Sequence, residues 1–128
     1  MLTILATLLV AHFVADFLLQ SHDMSQRKSV EFKVLFMHCG IQAGVVSIFS
    51  LFLFPWEQAL WIGGFNAVLH ALVDWNIWRA YKRYVKAKRP ENWEWWLDTW
   101  FYKTVGFDQL LHGLSLILSV HISTILFV

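Results

Sequence analysis

Four long apolar stretches alternate with polar connections along the chain. They cover residues 2–20, 34–54, 56–78 and 105–127, and each is close to the roughly 20 residues that a bilayer-spanning helix needs. The connection at Pro55 is tight, because proline ends one helix and is tolerated in the first turn of the next. The pattern predicts an all-α fold, an integral membrane four-helix bundle that forms one domain over residues 1–128.

The connection before the last apolar stretch contains two further predicted elements. The third helix should continue past the bilayer, over residues 56–88, because Pro90 disfavours a helical residue before it. Aromatic and apolar residues then recur at helical spacing, at Trp93, Trp96, Leu97, Trp100 and Phe101. This stripe predicts an amphipathic helix over residues 92–104 that lies in the membrane interface. An aromatic belt at the beginning of the last helix, 105–127, is the alternative.

Composition supports a membrane protein, and the positions of the charges predict its orientation. The chain is 58% hydrophobic and 15% charged, against about 25% charged in soluble proteins. All ten basic residues fall in two connections, at Arg27, Lys28 and Lys33 and at Arg79, Lys82, Arg83, Lys86, Lys88, Arg89 and Lys103. Basic connections stay in the cytoplasm. We therefore expect a multi-pass protein of the inner (cytoplasmic) membrane with both termini on the non-cytoplasmic side.

The same features limit the partners. The basic face of Arg79, Lys82, Arg83 and Lys86 is expected to meet anionic lipid headgroups. No nucleic acid is expected as a partner, because no recognised binding module accompanies these residues. Gly40 and Gly44 form a small-xxx-small pair that predicts a helix-packing surface, and association of several copies of the chain stays open.

Polar residues recur inside the apolar helices at one spacing. Steps of four residues place them on one face of each helix: His12, Asp16 and Gln20; His38 and Gln42; Asn66, His70 and Asp74; Asp108 and His112. Measured from the cytoplasmic helix ends, most lie roughly 6–12 Å deep. Asp108 is expected closer to the interface. The alternating helices thus predict a single polar layer near the cytoplasmic leaflet.

Three aspartates in such a layer need a counter-charge. Each ionised carboxylate costs on the order of 2.5–3.5 kcal/mol at the centre of a membrane helix. No lysine or arginine lies within the spans at that depth, so we expect no internal ion pair. Histidine and carboxylate together are ligands for zinc, with iron or manganese as alternatives. The predicted ligands of one or two divalent ions are His12, Asp16, His70, Asp74, Asp108 and His112, with His38 as a further candidate.

Other roles for the polar layer stay open at this stage. Gln20, Asn66 and Gln109 would orient the ligands from behind. In an enzyme, His38 or a spare carboxylate such as Asp108 would act as the catalytic base toward a metal-bound water. Without metal, the layer would be a proton or ion pathway, or a set of interhelical hydrogen bonds.

The motifs resemble a family of small bacterial and phage membrane proteins catalogued as domain of unknown function 3307. The matching pieces are His12-Phe-Val-Ala-Asp16-Phe-Leu-Leu-Gln20, Lys28, His38, His70-Ala-Leu-Val-Asp74 and Asp108-Gln109-Leu-Leu-His112. The resemblance implies a helical membrane protein and no established activity. More loosely, the layout is similar to membrane-bound metal-dependent hydrolases with histidine and aspartate on adjacent helices.

These observations lead to one functional hypothesis and two alternatives. The leading hypothesis is a metal-dependent hydrolase that acts on a substrate at the lipid interface, a headgroup or another ester or phosphoester. The first alternative is a component of ion or proton transport. The second is a non-enzymatic membrane scaffold or a holin-like protein of bacterial or phage origin.

Overall fold

The computed structural model describes residues 1–89, 91 and 94–127, and its regular elements are all helical. The first helix, α1, spans Leu2–Phe13 and continues as a single π-helical turn over Val14–Leu18. The remaining helices are α2 (His22–Arg27), α3 (Phe32–Ser50), α4 (Trp56–Lys88) and α5 (Thr99–Leu126). A short 3₁₀ turn, Trp95–Leu97, precedes α5. The all-α prediction is confirmed for this part of the chain.

Capping residues explain where several helices begin. The Ser21 hydroxyl accepts a hydrogen bond from the Met24 amide at 3.1 Å and starts α2. The Asp98 carboxylate does the same for α5, accepting from the Trp100 amide at 3.0 Å. Both satisfy a backbone N–H that has no partner within its own helix. Pro55 precedes α4, where its missing N–H costs nothing.

The predicted separate interfacial helix over residues 92–104 is wrong. Of its stripe, Trp93 lies outside the described residues, as do Pro90 and Asn92. Trp96 and Leu97 lie in the 3₁₀ turn, and α5 runs without a break from Thr99. The reason is local: Asp98 has extended backbone dihedrals and caps α5, so the helix begins there. The aromatic residues that follow belong to the first turns of a longer last helix.

Asp98 also fastens the connection to the end of α4. Its carboxylate accepts hydrogen bonds from the Tyr81 hydroxyl at 3.0 Å and from Arg89 Nη2 at 2.6 Å. Burial alone would raise the pKa of Asp98, but the Trp100 amide, Arg89 and Tyr81 outweigh it and lower that pKa. The negative form is thus the one that holds α4 and α5 together at this end.

The long helices form a bundle in which α4 packs against both α3 and α5, while α1 contacts α3 and α5. α3 and α4 approach each other closely at Gly63 of α4, where a methyl group would overlap Ser47 Oγ and the carbonyl oxygen of Ala43. At Gly40 and Gly44 an added Cβ would meet no atom within 4 Å. No described residue of this chain packs closely against that pair, so the packing surface predicted there stays a prediction.

Apolar residues cover the outside of the bundle. Phe36, Phe52, Val68 and Leu110 are each more than half exposed. Two helices, α3 and α5, are long and apolar enough to cross a membrane, and α1 with its final turn is a shorter apolar helix. α4 does not meet the same criterion. The four-span arrangement stays a prediction.

The interior has two different halves. An apolar core fills the half toward the termini and the Pro55 turn; it consists of Leu8, Ala11, Val46, Ile62, Leu116 and Val120. The other half, beyond His12 on α1 and before His112 on α5, contains most of the buried histidines and carboxylates. Serines and Gln58 are also buried in the apolar half, so one end of the bundle contains uncharged side chains and the other collects the charges.

Candidate metal centre

Seven histidine and aspartate side chains from four helices meet in one buried cluster. Each is at most 5% exposed, and they are His12, Asp16, His38, His70, Asp74, Asp108 and His112. The spacing of four residues explains the convergence, because it places two members of the cluster on one face of α1, α4 and α5, while α3 contributes His38. The structure thus brings together all six residues predicted as ligands and both residues predicted as catalytic.

Asp16 reaches the cluster from the π-helical turn at the end of α1. Such turns contain one residue more than a regular turn and are frequent at functional sites. His12, one turn earlier, places its Nε2 atom 3.7 Å from Asp16 Oδ2. The widened turn therefore presents the carboxylate beside His12, with its other oxygen toward α3 and α4.

Four atoms form a compact set that we call the first ligand set, contributed by Asp16, His38, His70 and Asp74. His38 Nε2 lies 3.1 Å from Asp16 Oδ1 and 3.3 Å from Asp74 Oδ2. His70 Nε2 lies 3.6 Å and 3.1 Å from the same two oxygens. The two nitrogens are 2.9 Å apart. Ligands that surround zinc tetrahedrally at about 2.0–2.1 Å stand about 3.3–3.4 Å from one another, so this set could hold a metal ion.

Three residues form a second ligand set next to the first, namely Asp16, Asp108 and His112. His112 Nε2 lies 3.5 Å from Asp108 Oδ2 and 3.6 Å from Asp74 Oδ1. The His70 and His112 rings stack with centroids 3.9 Å apart. Asp108 is 2% exposed and belongs to the cluster, and its predicted position closer to the membrane interface stays a prediction.

Gln109 joins the carboxylates of the second ligand set. Its Nε2 donates to Asp16 Oδ2 and to Asp108 Oδ2, both at 3.1 Å, and its Oε1 lies 3.1 Å from His12 Nε2. These contacts fit the predicted orienting role. Neither the Asn66 amide nor the buried Gln20 oxygen makes a hydrogen bond within the described residues, so an orienting role for them stays a prediction.

The cluster contains a lysine, contrary to the expectation that no internal ion pair forms. Lys28 is 4% exposed, and its Nζ lies 2.9 Å from Asp74 Oδ2 and 3.4 Å from Asp16 Oδ1. It is also 3.4 Å from His38 Nε2. The expectation was wrong because depth was counted only along the long helices, whereas Lys28 comes from the connection that folds back over them.

The connection between α1 and α3 delivers Lys28 as a cover on the cluster. On α2, Met24 is buried and Lys28 follows one turn later on the same face. Lys82 of α4 holds the connection in place by donating to the Gln26 carbonyl and, at 2.8 Å, to Ser29 Oγ.

A signal for Lys28 was present in the sequence. Arg27 has acidic residues four positions away on either side, and it pairs with both: Asp23 at 2.7 Å and Glu31 at 2.6 Å. Its neighbour Lys28 has no acidic residue four positions away on either side, and Glu31, three positions later, pairs with Arg27 instead. An unmatched lysine beside a matched arginine could have been assigned to the aspartates of the other helices.

Electrostatics support Lys28 as a charged member of the cluster. Burial by itself lowers the pKa of Lys28, but the carboxylates of Asp74 and Asp16 outweigh burial and raise that pKa. Burial and the neighbouring charge of Lys28 lower the pKa of Lys82. Lys28 therefore contributes one positive charge against three buried aspartates.

Comparison with known proteins gives one match. The model of a family described as "Protein of unknown function (DUF3307)" matches residues 4–128. No curated protein and no solved structure matches the chain.

Proposed function

This chain belongs to that family of unknown function, and we propose that it is an integral membrane protein of four spanning segments that binds a divalent metal ion in its buried histidine–aspartate cluster. The segments are α1 with its π-helical turn, α3, the first part of α4, and α5. The centre lies in the cytoplasmic half of the bilayer, and both termini lie on the opposite side.

The distribution of apolar and polar residues supports the membrane setting. Only 39% of the apolar stretch in α3 and 28% of that in α5 is buried, whereas a core helix of a soluble protein hides most of such a stretch. The buried positions instead include seven histidine and aspartate residues and several serines. This arrangement suits a solvent of lipid, in which polar groups turn inward and find partners there.

The geometry of the first ligand set is the observation that carries the metal proposal. Five separations among its four atoms lie between 2.9 and 3.6 Å, around the edge length of a tetrahedral zinc site. Hydrogen bonding alone does not require two histidines and two carboxylates from three helices to converge on one point. A single ion at that point would contact all four.

The charge balance supports the same conclusion. Three ionised aspartates contribute three negative charges, and Lys28 is the one basic side chain paired with them in the described residues. Neutral histidines leave a net charge of two minus, which one divalent ion offsets. Unmatched charges of this kind are costly in a membrane interior.

The ligand types favour zinc, with iron or manganese as alternatives, because imidazole and carboxylate bind all three. In this proposal His38 is a ligand and not a catalytic base, since its Nε2 faces both carboxylates and His70. Asp108, His112 and His12 lie next to the ion rather than around it.

Hydrolysis of an ester or phosphoester at the membrane surface is the second candidate function. The specific observation in its favour is the second ligand set, which has three protein ligands. Three ligands and a water are typical of catalytic zinc sites, whereas four are typical of structural ones. In that case Asp108 would bind the ion, and His38, the other residue predicted as catalytic, would be the base. A transporter is disfavoured because the other half of the bundle contains the apolar core and, among the described residues, no buried charged side chain.

The test is the metal content of the full chain purified in detergent, measured by elemental analysis before and after reconstitution with zinc. We expect at least one equivalent in the wild-type protein. His70→Ala removes a ligand and should lower both the metal content and the melting temperature, because bound metal stabilises the folded state. His121→Ala is the matched control, since that exposed histidine lies outside the cluster.

Asp74→Asn separates metal binding from simple hydrogen bonding. Asparagine keeps the size and hydrogen-bonding capacity of aspartate but is a poor ligand, so metal binding predicts loss of metal and of stability. If the cluster only joins helices by hydrogen bonds, the variant should melt at or above the wild-type temperature. A wild-type protein that stays metal-free after reconstitution would overturn the proposal.

A further inference from the structure

The second oxygens of Asp16 and Asp74 point away from the first ligand set. Asp16 turns Oδ1 toward His38 and His70, and its Oδ2 accepts from Gln109. Asp74 likewise turns Oδ2 toward His38 and His70, while its Oδ1 lies 3.6 Å from His112 Nε2. Both carboxylates therefore extend from the first ligand set into the second.

Several side-chain atoms at the second ligand set that could bind a metal lack a hydrogen-bond partner. Asp74 Oδ1, Asp108 Oδ1 and His112 Nε2 make no hydrogen bond in the part of the chain that the structure describes. All three residues are at most 2% exposed. A buried polar atom without a hydrogen-bond partner destabilises the folded protein, so three such atoms in one place indicate a ligand that binds them together.

We infer that the cluster takes a second divalent ion at Asp108 and His112, with Asp16 and Asp74 bridging the two ions through their opposite oxygens. This inference rests on the proposed function, because it places the second ion beside the one in the first ligand set. Bridging carboxylates hold paired ions about 3.5–4 Å apart in two-metal hydrolytic sites. Gln109 would fix the Asp16 and Asp108 carboxylates from behind.

The charge balance specifies what accompanies the second ion. One divalent ion and Lys28 together offset the three aspartates, so a second ion leaves the centre with two excess positive charges. An oxyanion that spans both ions would restore the balance, and phosphate or a phosphoester has the charge and the oxygen atoms to do so. The second ion is therefore coupled to an anionic ligand of the phosphate class.

Manganese is the probe for this inference, because two Mn²⁺ ions joined by carboxylates give an exchange-coupled electron paramagnetic resonance spectrum that isolated ions lack. The metal-free full chain in detergent is titrated with Mn²⁺, with and without inorganic phosphate. We expect two equivalents and the coupled spectrum in phosphate. The second equivalent should bind at least about tenfold more tightly with phosphate than without it, a coupling of ordinary size.

Variants assign the two positions. Asp108→Asn and His112→Ala should each bind one equivalent and lose the coupled spectrum, and the retained equivalent also shows that the variant is folded. His38→Ala should instead weaken the first equivalent. His121→Ala, on the same helix as His112, should behave as the wild-type protein.

The possible failures are distinct. A wild-type protein that binds one equivalent whether or not phosphate is present would overturn the second site and leave the metal proposal intact. Two equivalents with no effect of phosphate would overturn the anion coupling. No bound metal under any condition would overturn both the inference and the proposed function.

Discussion

Lys28→Met removes the only lysine charge from the cluster and keeps a side chain of similar length. Lys28 Nζ lies 2.9 Å from Asp74 Oδ2 and 3.4 Å from Asp16 Oδ1, and the three side chains are at most 5% exposed. An exposed ion pair contributes about 0–1 kcal/mol, but removal of one partner of a buried pair costs about 3–5 kcal/mol. Because the Lys28 pair is buried, we expect Lys28→Met to destabilise the metal-free protein by about 3–5 kcal/mol.

The metal-loaded protein should respond differently, because the ion supplies positive charge to the same two carboxylates. If metal binding recovers half of the stability that Lys28→Met loses in the metal-free protein, about 2 kcal/mol, the variant binds metal about 30-fold more tightly than the wild-type protein. Neutralising Lys28 thus separates the two properties: the metal-free fold becomes weaker and the metal affinity becomes higher.

The assay compares unfolding of metal-free and zinc-loaded protein in detergent, together with zinc affinity by competition with a chelator. Lys33→Met is the matched control, since Lys33 is exposed in the first turn of α3 and lies outside the cluster. The pKa of Lys28 lies above its ordinary value of 10.5. Its contribution to stability is therefore complete below that pH and is lost only as the pH rises through the higher folded value, so neutral pH is suitable. Unchanged metal-free stability, or metal binding weakened tenfold or more, would refute the reasoning.

Three further predictions concern the rest of the bundle. Gly63→Ala should destabilise the protein by about 1–3 kcal/mol, because the added methyl group overlaps α3. Gly64→Ala, which has open space around its Cβ, should be neutral or slightly stabilising. Equal melting temperatures of the two variants would contradict the packing at Gly63. Because the pKa of Asp98 is lowered, its stabilisation is present above pH 3.8 and is lost as the pH falls through the lower folded value. Asp98→Asn should therefore lower the melting temperature at pH 7 and flatten the pH profile below 3.8, and an unaltered profile would argue against the carboxylate as the fastening group. In a cysteine-free background, Lys33→Cys should be protected from an impermeant thiol reagent outside intact cells and Glu57→Cys should react; the reverse pattern would invert the topology.

The spacing of polar residues predicted the cluster because it depends on local geometry. His70 and Asp74 share a helix face wherever α4 lies. Because the exterior of the bundle is apolar, that polar face turns toward the interior. The same reasoning placed His12 and Asp16 correctly, although the turn between them is π-helical. Local periodicity was thus sufficient for the residues that the long helices contribute.

Features that depend on contacts between distant parts of the chain were not predictable in this way. Lys28 reaches the cluster because the α1–α3 connection folds over the cluster, and helical periodicity does not predict where a connection folds. The small-residue motif at Gly40 and Gly44 marks a smooth face but does not say whether a neighbour approaches it; the close neighbour is at Gly63 instead. The aromatic stripe had the right period, yet a single carboxylate at Asp98 decided where the helix begins.

The cover formed by the α1–α3 connection has a kinetic consequence. Apolar and uncharged polar side chains fill the opposite half of the bundle, so in the proposed metal centre we expect an ion to enter and leave past Lys28 and the short α2. That cover is fastened by Lys82 and by the cluster itself, and exchange must wait until those bonds open together. Residence time and affinity are therefore set by different residues: the ligands determine how tightly an ion is held, and the cover determines how long it stays.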